Sequence, residues 1–372
     1  MAMVKFTPLI ESLPVTIPFV GPEALARRSG QPIIARMGAN ENVFGPSPKV
    51  VAALQAYAQN SWQYGDPELH DLKHALAAHL SVQPENIAIS EGIDGLHGLA
   101  VRMFVEHGAK VINTLGAYPT FSAHVKAFGG ELITLPYKDD HEDLPALLNL
   151  AKIEKPKILN LVNPDNPMGT WWSSTEVQKL MDEIPAQTLL TLDEAYSEFA
   201  PEGTVPALDV TRKNILRFRT FSKAYGLAGM RVGYAVGHAD VIAGFEKVRN
   251  HFGVTRLSQI AALAALQDQD WMNHVVREVK AARIKIAEIA TANGLKPLPS
   301  ATNFVTIDCG RGGAYAKSIV EGLLQHGIFI RMPGVAPQNR CIRISCGTQE
   351  NLNLLAETLP KVLRSLPEPA TL

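Results

Sequence analysis

A lysine set between small polar and apolar residues at the end of a strand is the residue here with the most chemistry to offer. It is Lys223, in TFSKAYGLAGMRVGYAVG, residues 220–237. An amine so placed forms an imine with an aldehyde cofactor. Thr220 and Ser222 put hydroxyls on its two sides, and Arg231 supplies a fixed cation for a phosphate. Gly226, Gly229 and Gly233 let the backbone approach a ligand closely. Taken alone, the alternative is a surface lysine on a Gly-rich loop.

Asp193 is the second such residue. TLLTLDEAYSEF puts it at the carboxyl end of an apolar strand, where an unpaired charge is costly to bury. A protonated pyridine nitrogen is a fitting partner, and the pairing keeps such a ring an electron sink. Tyr196 follows closely enough to hydrogen-bond the ring's phenolic oxygen. A helix N-cap is the competing reading of Asp193. In LVNPDNPMGT, residues 161–170, Asn166 offers an amide to the same oxygen, although Asn and Pro are also ordinary turn residues. SEGIDG, residues 90–95, joins a strand to a helix, so the backbone N–H groups of Gly92, Ile93 and Asp94 suit an anion at a helix N-terminus.

These residues need a frame that brings strand ends together. From about residue 48 to 236 strand and helix patterns alternate. Strands are expected at Asn86–Ser90, Lys110–Thr114, Glu131–Leu135, Lys157–Val162, Thr188–Leu192, Ile215–Thr220 and Val232–Val236. Helices are expected over Pro67–Leu80 and Asp94–Glu106. The alternation argues for a mainly parallel sheet covered on both faces. Beyond Gly237 come three helical stretches, the last near Trp271–Ala292, and then an α+β tail. Its strands lie near Asn303–Asp308, Ile328–Ile330 and Cys341–Ser345.

In order along the chain stand the phosphate turn, Tyr118 of GAYPTF, NPDNPMG, DEAY and SKAYGLAGMRVGY. That series resembles the fold-type I pyridoxal 5′-phosphate (PLP) aminotransferases, most closely the histidinol-phosphate aminotransferase branch. The likeness runs from IPFVGPEALARR and ANENVFGPSP through QYGDPELHDLKHALA to RISCGT, nearly the whole chain. It implies the aspartate aminotransferase-like α/β fold, with a seven-stranded sheet in a PLP-binding large domain of residues 41–265. Residues 1–40 would form an arm that joins a small α+β domain of residues 266–372.

The resemblance also implies roles. Lys223 carries the cofactor and then shuttles a proton, Asp193 pairs with the pyridinium, and Tyr196 and Asn166 hold the phenolic oxygen. Tyr118 stacks on the ring, while Ile93, Asp94, Ser222, Arg231 and Thr220, with the turn at Gly92, hold the phosphate. Tyr64 of QYGDP reaches the phosphate of a neighbouring subunit, so the functional unit is a homodimer. Arg343 binds the substrate carboxylate, or the phosphate of histidinol phosphate; Arg331 is a second anion-binding arginine, and Asn40 faces substrate. Amino transfer to a 2-oxo acid, 2-oxoglutarate first, is the expected activity. Histidinol phosphate leads as donor, with an aromatic or other α-amino acid as runner-up and decarboxylation of an amino-acid phosphate as the third reading.

The chain departs from the branch pattern at Val43 for proline, Met168 for threonine, Gly95 for an acidic residue and Phe19 for tyrosine. None of these touches Lys223, Asp193 or Arg231; they bear on the substrate. Composition excludes other classes. Thirty-five basic against 36 acidic residues leave no general field for nucleic acid or anionic lipid. A PLP-binding regulator would need a DNA-binding domain, for which the sequence has neither the length before its first motif nor a basic patch. No run reaches the roughly 20 apolar residues of a membrane span, so a cytoplasmic location is expected. Cys309, Cys341 and Cys346 show no metal-ligand spacing and are expected as reduced core thiols. His70, His74 and His79 fit a solvated helix face better than a metal site, and no metal is expected.

Overall fold

The computed structural model describes residues 4–15 and 20–366, so Phe19 lies outside the described residues. Seven strands form one sheet in the order Ile87–Ser90, Gly233–Gly237, Ile215–Thr220, Leu189–Asp193, Ile158–Val162, Lys110–Thr114, Glu131–Leu135. Gly233–Gly237 runs against both its neighbours, and every other pair is parallel. ILNLV and LLTLD are buried along their whole length, as strands must be when helices cover both faces. Their polar members find one another: Thr191 donates to Asn160 at 2.8 Å, and Asn160 to Asn113 at 3.1 Å.

A second core forms from the C-terminal third. Phe304–Asp308 pairs antiparallel with Cys341–Ser345 and with Lys296–Pro297. Helices Gln269–Ala292, Gly313–Gln325 and Gln349–Ser365 close around Ile286, Phe304, Ile319, Ile344 and Leu355. Ala35 and Met37 are buried in the same cluster, and Ala35–Arg36 pairs in parallel with Ile328–Phe329. These two-residue strands, like Lys296–Pro297, are too short to show a period in sequence.

Element boundaries moved where local chemistry required it. The helix expected from Asp94 begins at Gly92, whose φ of 84° lets the chain leave the strand and turn at once. The helix expected from Pro67 begins at His70, because Leu69 sits at φ 57°. No α-helix starts at Asp193, which removes the N-cap reading. Instead its Oδ1 accepts from the Ala195 N–H at 2.9 Å and shapes the turn before the 3₁₀ segment Ser197–Phe199. The three cysteines are buried and form no disulfide. His70 and His74 are exposed. Among the described residues there is no His, Cys, Asp or Glu group suited to a metal and no helix long and apolar enough to cross a membrane.

Candidate active site

Parallel strands all end at one edge of a sheet, and ligands collect there. Five parallel strands deliver Ser90, Thr114, Val162, Asp193 and Thr220 to that edge. The antiparallel strand begins there, which returns Arg231 and Gly233 to the same place. The edge holds a cavity of about 410 Å³. Ile93, Asp94, Tyr118, Asn166, Asp193, Tyr196, Thr220, Ser222, Lys223 and Arg231 all line it.

At one end lies a cradle of anion-binding geometry. The first N–H groups of the helix from Gly92 have no partner within the helix. Arg231 arches over them and donates to Ala228 O at 3.0 Å and to Ser222 Oγ at 3.4 Å. Thr220 donates to Ser222 Oγ at 2.9 Å. A Cβ on Gly92 would meet Arg231 Nη2 at 2.7 Å, and one on Gly233 would meet the backbone of Gly92 and Ile93 at 2.8 Å. Only glycine at both positions leaves the cradle its shape.

The middle of the cavity holds Lys223 and Asp193. Lys223 Nζ donates to Asn40 O at 3.4 Å and stands 5.5 Å from the centre of the Tyr196 ring. Burial, then the nearby Arg343 charge, lowers its amine to about 8, so a good fraction is neutral and nucleophilic near neutral pH. Asp193 is buried and makes no ion pair with the described residues. Burial raises its carboxyl to about 7, against the lowering by the Ala195 N–H bond. A cation in the cavity would return it to the charged form.

Beyond them a hydrogen-bonded group closes the far wall. Tyr196 OH accepts from Asn40 Nδ2 at 3.1 Å and from Asn166 Nδ2 at 3.3 Å. Arg343 donates to Asn166 Oδ1, and through Nη2 to Gly38 O at 3.1 Å. Arg331 and Arg343 exchange backbone hydrogen bonds of 3.2 and 2.7 Å, and Arg331 Nη2 donates to Val20 O at 3.0 Å. Tyr64 lies apart from this group. It is 79% exposed and packs on Phe252, itself 51% exposed, with ring centres 5.0 Å apart.

Sequence reasoning passed over Ser345 and Asn303, which hold Asn40. Ser345 Oγ donates to Asn40 Oδ1 at 2.7 Å, and Asn303 donates to Asn40 O at 3.0 Å. It also missed Arg217, fully buried against Glu194 beside Asp193. An arginine inside the apolar run ILRFRT was the available signal.

The donor set fits PLP. A glycine-bounded cradle with an arginine suits a phosphate, a half-buried lysine suits an aldehyde, and a buried unpaired carboxylate suits a pyridinium. Fold and site together define a fold-type I PLP enzyme. Residues 32–359 match the family described as aminotransferase class I and II. The histidinol-phosphate aminotransferase of Roseiflexus castenholzii is 34% identical over 367 residues, 95% of this chain and 97% of that one. A crystal structure of histidinol-phosphate aminotransferase from Sinorhizobium meliloti, in complex with pyridoxal-5′-phosphate, is 52% identical. It superposes with a TM-score of 0.96 over 98% of this chain and 99% of that one. A Thermus thermophilus aspartate aminotransferase variant, 21% identical, shares the fold at a TM-score of 0.78 over 97% of this chain and 100% of that one. The chain belongs to the class I and II aminotransferase family and is a PLP-dependent aminotransferase near the histidinol-phosphate branch.

Proposed function

We propose that this enzyme transfers an amino group reversibly between histidinol phosphate and a 2-oxo acid, 2-oxoglutarate, as a homodimer in the cytoplasm. The observation that carries the anionic substrate is Arg343. Its guanidinium is enclosed, its Nε has no hydrogen-bond partner, and it forms no ion pair with the described residues. Burial lowers its pKa to about 10. A buried guanidinium without a counter-ion is expensive unless an anion arrives to meet it. The likeness to enzymes named for histidinol phosphate supports that donor over an ordinary amino acid.

Bound PLP would supply an aldehyde carbon and a conjugated pyridinium that accepts the electron pair left at substrate Cα. The chain's own residues would do the rest. Lys223 would hold the cofactor covalently and, once displaced by substrate, carry the proton between Cα and the cofactor's C4′. Asp193 would keep the ring nitrogen protonated, with Tyr196 and Asn166 on the phenolic oxygen and Tyr118 over the ring. The N–H groups at Gly92, Ile93 and Asp94, with Thr220, Ser222 and Arg231, would hold the phosphate, joined by Tyr64 from the neighbouring subunit. Arg343 and Arg331 would grip the substrate's anionic end, and Asn40 would complete that wall.

A half-reaction screen tests the donor: the PLP form is mixed with single amines, and conversion to the pyridoxamine form is read by absorbance. Arg343→Lys should weaken both donor and 2-oxoglutarate, since an ammonium cannot match a bidentate guanidinium. The expected loss in kcat/KM is about 2–5 kcal/mol. Arg331→Ala should harm the histidinol-phosphate half-reaction more than the glutamate half-reaction, because a dianion can use both arginines. Equal losses would point to an ordinary amino-acid donor.

The cradle gives a second expectation. Gly233→Ala forces a Cβ onto the backbone of Gly92 and Ile93 at 2.8 Å. Overpacking of this kind costs about 1–3 kcal/mol. PLP affinity, followed by titration of the cofactor-free protein, should fall about tenfold or more. Unchanged affinity would separate this turn from the phosphate.

A further inference from the structure

The hydrogen bond between Asn166 and Arg343 joins the turn of residues 163–170 to the second core, and a seam outside the cavity holds both of its ends. Arg343 pairs in register with Thr306, whose Oγ1 donates to Pro167 O at 2.6 Å. The Ala301 N–H donates to Gly169 O at 2.9 Å. Between these contacts Met168, fully buried, packs with Tyr137, Cys341 and Leu298.

The outer rim of the seam is ionic. Lys138 and His141 exchange two backbone hydrogen bonds of 2.9 Å, which makes Asp139 and Asp140 the corner of a tight turn, with φ values of 50° and 62°. Asp, Asn and Gly suit such a corner. Asp140 Oδ2 accepts from Arg340 Nη2 at 2.6 Å, and Oδ1 accepts from Gln338 Nε2 at 3.4 Å. The Asp140 backbone O accepts from Thr170 Oγ1 at 2.9 Å. Arg340 Nε also donates to Asp308 Oδ2 at 2.8 Å, and Asp308 ends the strand that pairs with Cys341–Ser345. One aspartate thus touches the Asn166 turn through its main chain and the approach to the Arg343 strand through its side chain.

We propose that Asp140 is a positioning residue that, through Arg340, latches the strand of Arg343 to the Asn166 turn and so sets the affinity for the substrate's anionic end. The lever is short, because Arg340 immediately precedes the strand Cys341–Ser345 that carries Arg343. The side chains of Asp140 and Arg340 are 15% and 27% exposed. An ion pair that open to water adds little to stability, so its effect falls on placement. Placement matters here because Arg343 meets its ligand from a fixed wall, and small displacements of a gripping guanidinium lose its two-point contact. The kinetic part of this inference rests on the anion-gripping role proposed for Arg343; the placement part does not.

The test uses the PLP-loaded enzyme with Asp140→Asn, Arg340→Gln and the two combined. Asn keeps the turn, since it accepts the same φ, and removes the charge. Each single variant should raise KM for 2-oxoglutarate about fivefold and leave kcat within about twofold, because neither Lys223 nor Asp193 lies on the seam. The double variant should be no worse than Arg340→Gln alone, as expected of one shared contact. The sign for Asp140→Asn separates placement from charge. A carboxylate acting through space repels an anionic substrate, so its removal would lower KM; loss of the latch raises it. Amide exchange, followed without substrate, reads the placement itself. The Arg343 N–H donates to Arg331 O at 2.7 Å and should exchange about tenfold faster in both single variants, while Leu189–Asp193 keeps its protection. Arg343→Lys is the control for the kinetic part: if it leaves KM unchanged, the proposed grip on the anion is wrong, and the exchange result alone decides the latch. Unchanged exchange overturns the latch, and so does a KM that holds or falls in Asp140→Asn while Arg343→Lys raises it.

Discussion

Lys223→Ala should leave the protein folded, without a covalently held cofactor and nearly inactive. Borohydride treatment of the PLP-loaded wild type should fix the cofactor on the peptide that contains Lys223; the variant should carry none. The variant should still bind PLP, since the cradle at Gly92, Ser222 and Arg231 and the Asp193 carboxylate do not depend on the amine. Turnover should drop on the order of 10⁴-fold, the upper end for loss of a positioned acid–base group. The amine's lowered pKa adds a pH dependence. A protonated amine cannot attack an aldehyde, so covalent capture of PLP by the cofactor-free protein should accelerate as pH rises towards about 8 and then level off. Mapping the adduct to another lysine would overturn the central assignment.

Asp193→Asn should spare folding and impair the chemical step. The carboxylate is buried, takes one backbone N–H from Ala195, and has no cationic partner among the described residues. An amide of the same shape keeps the acceptor for Ala195, so the turn survives. It cannot, however, keep a pyridine nitrogen protonated, and the electron pair at Cα then has no charged sink. The half-reaction rate at saturating substrate should fall on the order of 10²–10³-fold, as for loss of one preorganised electrostatic partner. Thermal stability of the cofactor-free variant should hold or rise, because removing an uncompensated buried carboxyl relieves a desolvation cost. A drop in kcat equal to the drop in kcat/KM would mark an interaction made mainly in the transition state. Near wild-type half-reaction rates would reduce Asp193 to a turn-former.

Much of this arrangement is written along the chain. Apolar runs such as ILNLV and LLTLD declare buried strands because each carries its own burial signal over five residues. The polar residues that follow them must then fall at a common sheet edge, and Asn166, Asp193 and Lys223 do line one cavity. Strand and helix limits shifted by one to three residues, as at Gly92 and His70, where a positive φ on a single residue decided the start. Such a φ leaves little trace in hydrophobic pattern.

What the sequence could not contain is any contact whose partners are far apart along it. Asn40 meets Tyr196, Asn303 and Ser345 because the N-terminal strand docks on the C-terminal core, which faces the DEAY turn. Arg343 reaches Asn166 across the same junction. Glu142 reads as an unremarkable acid before the helix Leu144–Glu154 until folding buries it where Thr114 Oγ1 and the Val162 N–H donate to it. Local pattern determines which residues are buried and which stand at strand ends, because those are short-range properties of period and propensity. Which buried polar groups share a hydrogen bond or a charge is decided only when tertiary packing excludes solvent and leaves each one nothing but its neighbours.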